Sequence, residues 1–154
     1  MIETDAMKEF KEGLSLLRNN YAKKALPHLN KAVELDKSNP FYISYLGIAL
    51  AAGEQSWDQA EEVCLSALKL KRTQAELYIN LSEVYRLQGK KEDAIETLST
   101  GLALTKKDPR LLQALRKLGV RRPPVISFLE RSHILNKQLG KLRYKVLKSL
   151  GKEV

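Results

Sequence analysis

This sequence is most informative first in what it has little of. Its 154 residues include one cysteine, Cys64. No disulfide framework can form within the chain, which suits a reducing compartment, and the cytoplasm is the expected location. No apolar run approaches the ~18 residues of a membrane span. The opening MIETDAMKEF has no apolar stretch behind a basic segment, so no secretory leader is expected. Catalytic signatures are missing too: there is no HExxH, no GxxxxGK, no GxSxG and no CxxC. The expectation is a chain that is not an enzyme and holds neither cofactor nor metal. His28 and His133 have no partner pattern and read as ordinary surface or half-buried side chains. Cys64 reads as a small core residue, not a nucleophile. Glu61 and Glu62 are adjacent, so they face different sides of a helix and do not form a catalytic dyad.

What is present is helix-friendly. The composition is 44% hydrophobic and 29% charged, with five prolines and 6% aromatics, as expected for one domain or one short repeat array with a real core. The net charge of +9 is unevenly spread. Residues 1–105 hold 13 Lys/Arg against 15 Asp/Glu, whereas residues 106–152 hold 14 against Asp108 and Glu130. The basic character belongs to the tail, and it points to an anionic neighbour.

A period of 34 or 35 residues runs through the chain. Small residues recur at Gly13, Gly47 and Ser82, at Ala25, Ala60 and Ala94, and at Ala32, Ala67 and Gly101. Leu29, Cys64 and Leu98 keep the same beat, as do Leu35, Leu70 and Leu104. The extra residue of the second unit falls in the turn GEQSWDQ. Each unit carries two apolar-periodic segments joined by a short polar or Gly-containing turn, which reads as an antiparallel helix pair. First helices are expected near 5–18, 40–52 and 75–88, and second helices near 22–36, 57–71 and 91–105. Pro27 would fall just past the first turn of its helix, where a missing N–H is costly, so that helix is expected to start a residue or two late. Trp57, in the turn, reads as a packing anchor.

These residues resemble the tetratricopeptide repeat (TPR) family over about residues 5 to 108. The third unit matches best, with Tyr78, Leu81, Tyr85, Gly89, Ala94, Leu98 and Leu104. The first two units are looser, since Glu9 and Glu12 stand where an aromatic and a leucine are usual, and Lys37 and Arg72 replace a proline. Overall similarity suggests the small bacterial TPR proteins of unassigned role. The expected fold is all-α, a right-handed superhelix of three helix hairpins at about 5–38, 40–73 and 75–108, with the concave side lined by the first helices.

After these units comes a C-terminal cap over 109–154. Asp108-Pro109 starts a short helix over 109–118, and Gly119 ends it. Pro123 and Pro124 push Arg122 and themselves toward extended geometry and forbid helix continuation, so an extended segment is expected over 119–132. A connection of that length carries a purpose, and Val125, Ile126, Phe128 and Leu129 would each gain about 1.5–3 kcal/mol from burial. They either cap the last helix pair or lie in the concave groove as an internal ligand. A final basic helix is expected over 134–150. Leu135, Leu139, Leu142, Val146 and Leu150 form one stripe of it, and Lys137, Lys141, Lys145 and Lys148 another. The lysine stripe reads either as a solvated face or as a surface for an anionic partner.

The functional reading centres on the groove. Repeat positions place Phe10, Leu14 and Leu17 there from the first unit, Phe41, Ser44 and Ile48 from the second, and Ile79, Glu83 and Arg86 from the third. Gln113 follows from the short fourth helix. An apolar half followed by a polar half suits an amphipathic or extended peptide with hydrophobic anchors, although Phe10 and Phe41 could equally pack between neighbouring helices. One TPR subclass clamps a C-terminal carboxylate with two Lys, two Asn and an Arg. The matching places here hold Phe10, Leu14, Tyr45, Glu76 and Asn80, so the resemblance implies that such clamping is disfavoured. The expected function is a non-catalytic protein-interaction module. The alternatives are nucleic-acid or other polyanion binding through the basic tail, and self-association, as a homodimer, through the tail.

Overall fold

The computed structural model describes residues 4–119, together with Lys141. Seven helices and no strands are found among them. They are α1 (Asp5–Arg18), α2 (Ala22–Leu35), α3 (Pro40–Glu54), α4 (Trp57–Leu70), α5 (Ala75–Leu87), α6 (Lys91–Leu104) and α7 (Pro109–Lys117). No helix among the described residues is long and apolar enough to cross a membrane. The tail residues Val125, Ile126, Phe128, Leu129, His133, Lys137, Lys145 and Lys148 lie outside the described residues; Lys141 is exposed.

Local chemistry sets the helix ends. Thr4 caps α1 by accepting from the Met7 N–H, Asn39 caps α3 by accepting from the Phe41 N–H, and Asp108 caps α7 by accepting from the Arg110 N–H. In α3 and α7 a proline follows the cap, where its missing N–H costs nothing. The turn inside each hairpin is built the same way. Asn20, Gln55 and Gly89 adopt left-handed φ of 63°, 56° and 82°, and the next N–H bonds back to the preceding helix. Tyr21 N–H reaches the Leu16 carbonyl and Lys90 N–H reaches that of Tyr85, each five residues back. Ser56 N–H must reach six residues back, to Leu50, which is where the extra residue of the second turn is absorbed.

Pro27 corrects an expectation. It sits inside α2, which begins at Ala22 without delay. Proline removes the bond to the Lys23 carbonyl. Lys23 and Pro27 are both exposed residues of α2, and the helix does not shorten.

Packing follows the repeat. Ala25, Ala60, Ala94, Ala32 and Ala67 are fully buried, as are Leu29, Cys64 and Leu98. A Cβ added at Gly13 would come within 2.7 Å of Leu29, and one at Gly101 within 2.7 Å of Tyr78. These positions are small because a partner helix occupies the space a side chain would need. Leu35, Leu70 and Leu104 depart from this pattern, remaining about half exposed (52%, 54% and 48%) at the ends of their helices.

The hairpins α1–α2, α3–α4 and α5–α6 then stack. First helices approach one another closely along the stack (α1 with α3, α3 with α5, α5 with α7), whereas the backbones of α2, α4 and α6 stay further apart. The first helices are therefore a continuous inner layer and the second helices a separated outer one. The largest cluster of buried residues runs through all three hairpins, from Leu26 and Leu29 through Leu46, Leu50 and Cys64 to Leu81 and Val84. A second joins Ala75, Tyr78 and Leu98 to Leu111 and Leu115, so α7 covers the apolar side of the last hairpin. Full burial of each such leucine contributes about 1.5–3 kcal/mol. Helix α7 stops at Gly119, whose φ of +81° lies one residue past the Leu118 cap.

Two substitutions test this packing. A Cβ at Gly47 would collide with the Cys64 Sγ and stand 2.9 Å from the Ala60 carbonyl oxygen, which is backbone and cannot step aside. Helix propensity favours alanine over glycine by about 1 kcal/mol, but overpacking costs about 1–3 kcal/mol. Gly47→Ala is expected to destabilise the protein on balance, read as a lower urea midpoint. Pro27→Ala should act oppositely. Restoring the helix bond contributes up to about 3 kcal/mol, and greater freedom of the unfolded chain offsets about 1 kcal/mol of that. A gain of about 1–2 kcal/mol in the same titration is expected.

Candidate functional site

The inner layer is held together by specific side-chain links, and these decide which expected groove residues are free to meet a ligand. The ring of Phe10, on α1, lies 4.7 Å from that of Tyr42 and 5.5 Å from that of Tyr45, the second nearly edge-on at 68°. Aromatic pairs at these separations add about 0.5–1.5 kcal/mol beyond burial. Phe10 is thus chiefly a clasp between α1 and α3. Phe41 packs against a small cluster formed by Ala6, Ala32 and Tyr42.

Ser44 must be reassigned. The groove reading treats it as a lining residue, yet it is fully buried. Its hydroxyl donates to the Phe41 carbonyl at 3.1 Å and accepts from the Asn80 side-chain amide at 2.9 Å. A residue this small lets α3 and α5 approach until the pair is sealed. It is a cross-link between stacked hairpins and not a ligand contact.

The remaining expected residues fall into two groups. Leu14, Leu17, Ile48 and Ile79 are part-buried; Leu17 and Ile48 pack on the first core cluster and Ile79 on the second. Glu83 and Arg86 pair with each other in a two-pronged bond at 2.6 and 2.7 Å, and Gln113 is exposed.

A polar chain was missed in the sequence. Tyr45 donates its hydroxyl to Glu76 at 2.5 Å. The other Glu76 oxygen is 3.3 Å from Arg110, which also binds Asp108 at 2.9 Å. Burial first, and then the Glu76 carboxylate, push the Tyr45 hydroxyl well above its ordinary range. Glu76 and Arg110 are 34 residues apart, the same place in successive units. Opposite charges recurring at one repeat position were the available signal.

His28, expected as an ordinary surface or half-buried side chain, is half-buried and has a partner that the sequence did not reveal. Its Nδ1 is 2.8 Å from Glu9, and Lys31 approaches the other Glu9 oxygen at 3.3 Å. The hydrogen bond with His28 first, and then that with Lys31, lower the Glu9 pKa from its ordinary 4.5. All three belong to the first hairpin, joining α1 to α2. Cys64 is buried without contact with water, its thiol pushed up to about 12 by burial. A thiol so protonated is no nucleophile. Among the described residues no group of three His, Cys, Asp or Glu could hold a metal ion.

At the five places matching a carboxylate clamp the structure holds an aromatic clasp (Phe10, Tyr45), a leucine (Leu14), an acid already engaged by Arg110 (Glu76) and a buried amide (Asn80). None of these five side chains is cationic.

Helical hairpins packed through small residues, turned by a left-handed residue and stacked into two layers define an α-solenoid of paired-helix repeats. Residues 49–118 match the family model described as tetratricopeptide repeat, and the fold is that of a tetratricopeptide-repeat domain. Similar solved structures include the first TPR of Spaghetti (RPAP3) bound to the HSP90 peptide SRMEEVD, with a TM-score of 0.61 and 19% identity over 77% of this chain and 96% of that one. The Sgt2 TPR domain from Aspergillus fumigatus has a TM-score of 0.61 and 16% identity over 86% and 93%. MamA has a TM-score of 0.58 and 21% identity over 93% and 72%. At these identities the likeness is one of fold. No curated protein matches the chain at a significant level.

The Ser44–Asn80 link is open to a direct test. Ser44→Ala leaves a buried amide without its acceptor, and a stability loss of about 1–3 kcal/mol is expected. Adding Asn80→Leu to it should recover part of that loss, because both ends are then apolar. Denaturant titration of the two variants reads the difference.

Proposed function

We propose that the protein is a non-catalytic interaction module that binds an extended or amphipathic peptide of a partner protein along its inner layer. The observation that carries this reading is the row of part-buried apolar side chains, Leu14, Leu17, Ile48 and Ile79, on helices fixed in place by the Phe10 clasp and the Ser44–Asn80 bond. Anchors held on a pre-set scaffold bind without a large ordering cost in the receptor. Spaghetti (RPAP3) was solved with a bound HSP90 peptide, which supports peptide binding as a use of this fold.

The mode of recognition proposed here differs from clamping of a chain end. With Glu76 and Tyr45 joined in the middle of the inner layer, a terminal carboxylate meets an acid where it would need a cation. Affinity should come from hydrophobic anchors in the first half, and register from Glu83, Arg86 and Gln113 in the second. A reducing compartment, the cytoplasm, is the proposed setting for a chain whose single cysteine is a buried thiol.

Selection of binders from a random peptide display library on the full chain tests this. Selected peptides should carry spaced large apolar residues, and amidating their C-termini should change Kd by less than about twofold, since no charged end group is recognised. Ile48→Asp should weaken them at least about tenfold by placing an unpaired charge against an apolar anchor. A marked loss on amidation, or full affinity for Ile48→Asp, would refute the proposal.

A further inference from the structure

The outer layer carries a second feature that the inner-layer reading does not use. The backbones of α4 and α6 do not approach closely, and a cleft of about 270 Å³ lies between them. Its floor is apolar, formed by Leu68 of α4 with Leu81 and Tyr85 of α5. Leu65 of α4 also lines it and is 39% exposed.

The wall on the α6 side is different. Asp93, Glu96 and Thr97 line it. Tyr85 is tied to Glu61, its hydroxyl donating at 2.8 Å. Burial first, then the Glu61 carboxylate and the nearby charge of Asp93, push that hydroxyl above its ordinary range, so the two acids act on one point of the floor. Together α4 and α6 hold six carboxylates (Asp58, Glu61, Glu62, Glu92, Asp93, Glu96) against two lysines, Lys69 and Lys91. The contrast with α2 is sharp, since that outer helix has Lys23, Lys24 and Lys31 against Glu34. Of the residues that line the cleft, Asp93 and Glu96 are acidic and none is basic.

An apolar floor inside an acidic rim fits a partner of one chemistry. Neutral or acidic segments gain nothing from the rim or are repelled by it. A flexible polycation would leave the leucines in water. A helix with leucine-sized residues on one face and lysines flanking them satisfies both, and a helix laid between two separated helices packs against the ridges of each. We propose that the α4–α6 cleft is a second docking surface, for a cationic amphipathic helix of another protein. One leucine-sized side chain of that helix rests on Leu68 and Leu81, and its lysines face Asp93 and Glu96. The two surfaces lie on opposite layers of the solenoid, so one chain can hold a peptide inside and a basic helix outside, joining two partners.

The probe is a fluorescein-labelled 16-residue helical peptide of leucine and lysine in a 3.6-residue pattern, titrated by anisotropy into the full chain. Two control peptides accompany it, one with glutamate in place of every lysine and one with serine in place of every leucine. The expected result is saturable binding of the first peptide alone, weakened by rising salt. Glu96→Lys and Thr97→Arg should each weaken it at least about tenfold, by charge reversal and by filling the cleft. Leu14→Asp, on the inner layer in the first hairpin, should leave it within about twofold, because α1 contributes no residue to the cleft. Glu96 is exposed, so its reversal should not disturb folding, and an unchanged melting curve checks this. Equal binding of the serine peptide, full affinity for Glu96→Lys, or loss of binding in Leu14→Asp would each overturn the proposal. Failure of Ile48→Asp to weaken the library-selected peptides bears on the inner layer alone.

Discussion

The constraint on which this structure depends is the distance between paired helices. Gly13 against Leu29, Gly47 against Cys64 and the Ala60 carbonyl, and Gly101 against Tyr78 leave no room for one more carbon. Close approach lets Ala25, Ala60 and Ala94 reach complete burial, and it sets the thickness of each hairpin. Hairpins of equal thickness can stack in register. A single pair would leave one apolar face in water, whereas three stacked pairs, with α7 covering the last, turn that face into a continuous core.

Small residues at a fixed period are easy to see in a sequence, and for that reason the helices were legible. The 34-residue beat locates the contact positions, and polar turns locate the ends. Asn20 and Gly89 announce left-handed turns by residue type, since both tolerate positive φ. Gln55 does the same job without announcing it: its turn needs the left-handed geometry of the other two, and side-chain identity does not reveal the need. Pro27 misled because its cost was judged without its surroundings. A missing bond on a hydrated face is a smaller defect than the same bond missing from the core.

The candidate site was legible in part. Repeat positions name the residues of the inner helices, but they cannot tell a residue facing a ligand from one facing the next hairpin. Ser44 shows the difference, because its neighbour across the stack is Asn80 and the two seal each other. Pairings between units, such as Glu76 with Arg110, require knowing which turn of one helix meets which turn of the next. The Glu9–His28 bond lies within one hairpin, but it bridges two helices whose rotation about their axes the periodicity fixes only loosely. Distances between side chains come from packing, and packing is a property of the whole stack.

The separation of α2, α4 and α6 has a consequence for how such a chain can change over time. The close backbone packing of each of these helices is with first helices, not with its own kind. Substitutions on their exposed sides should therefore act nearly additively, with no neighbour to transmit a clash or a lost bond. A stack built this way can accumulate a mosaic of unrelated surfaces, one hairpin at a time, while its interior stays constant. The basic side of α2 and the acidic sides of α4 and α6 are two tiles of such a mosaic.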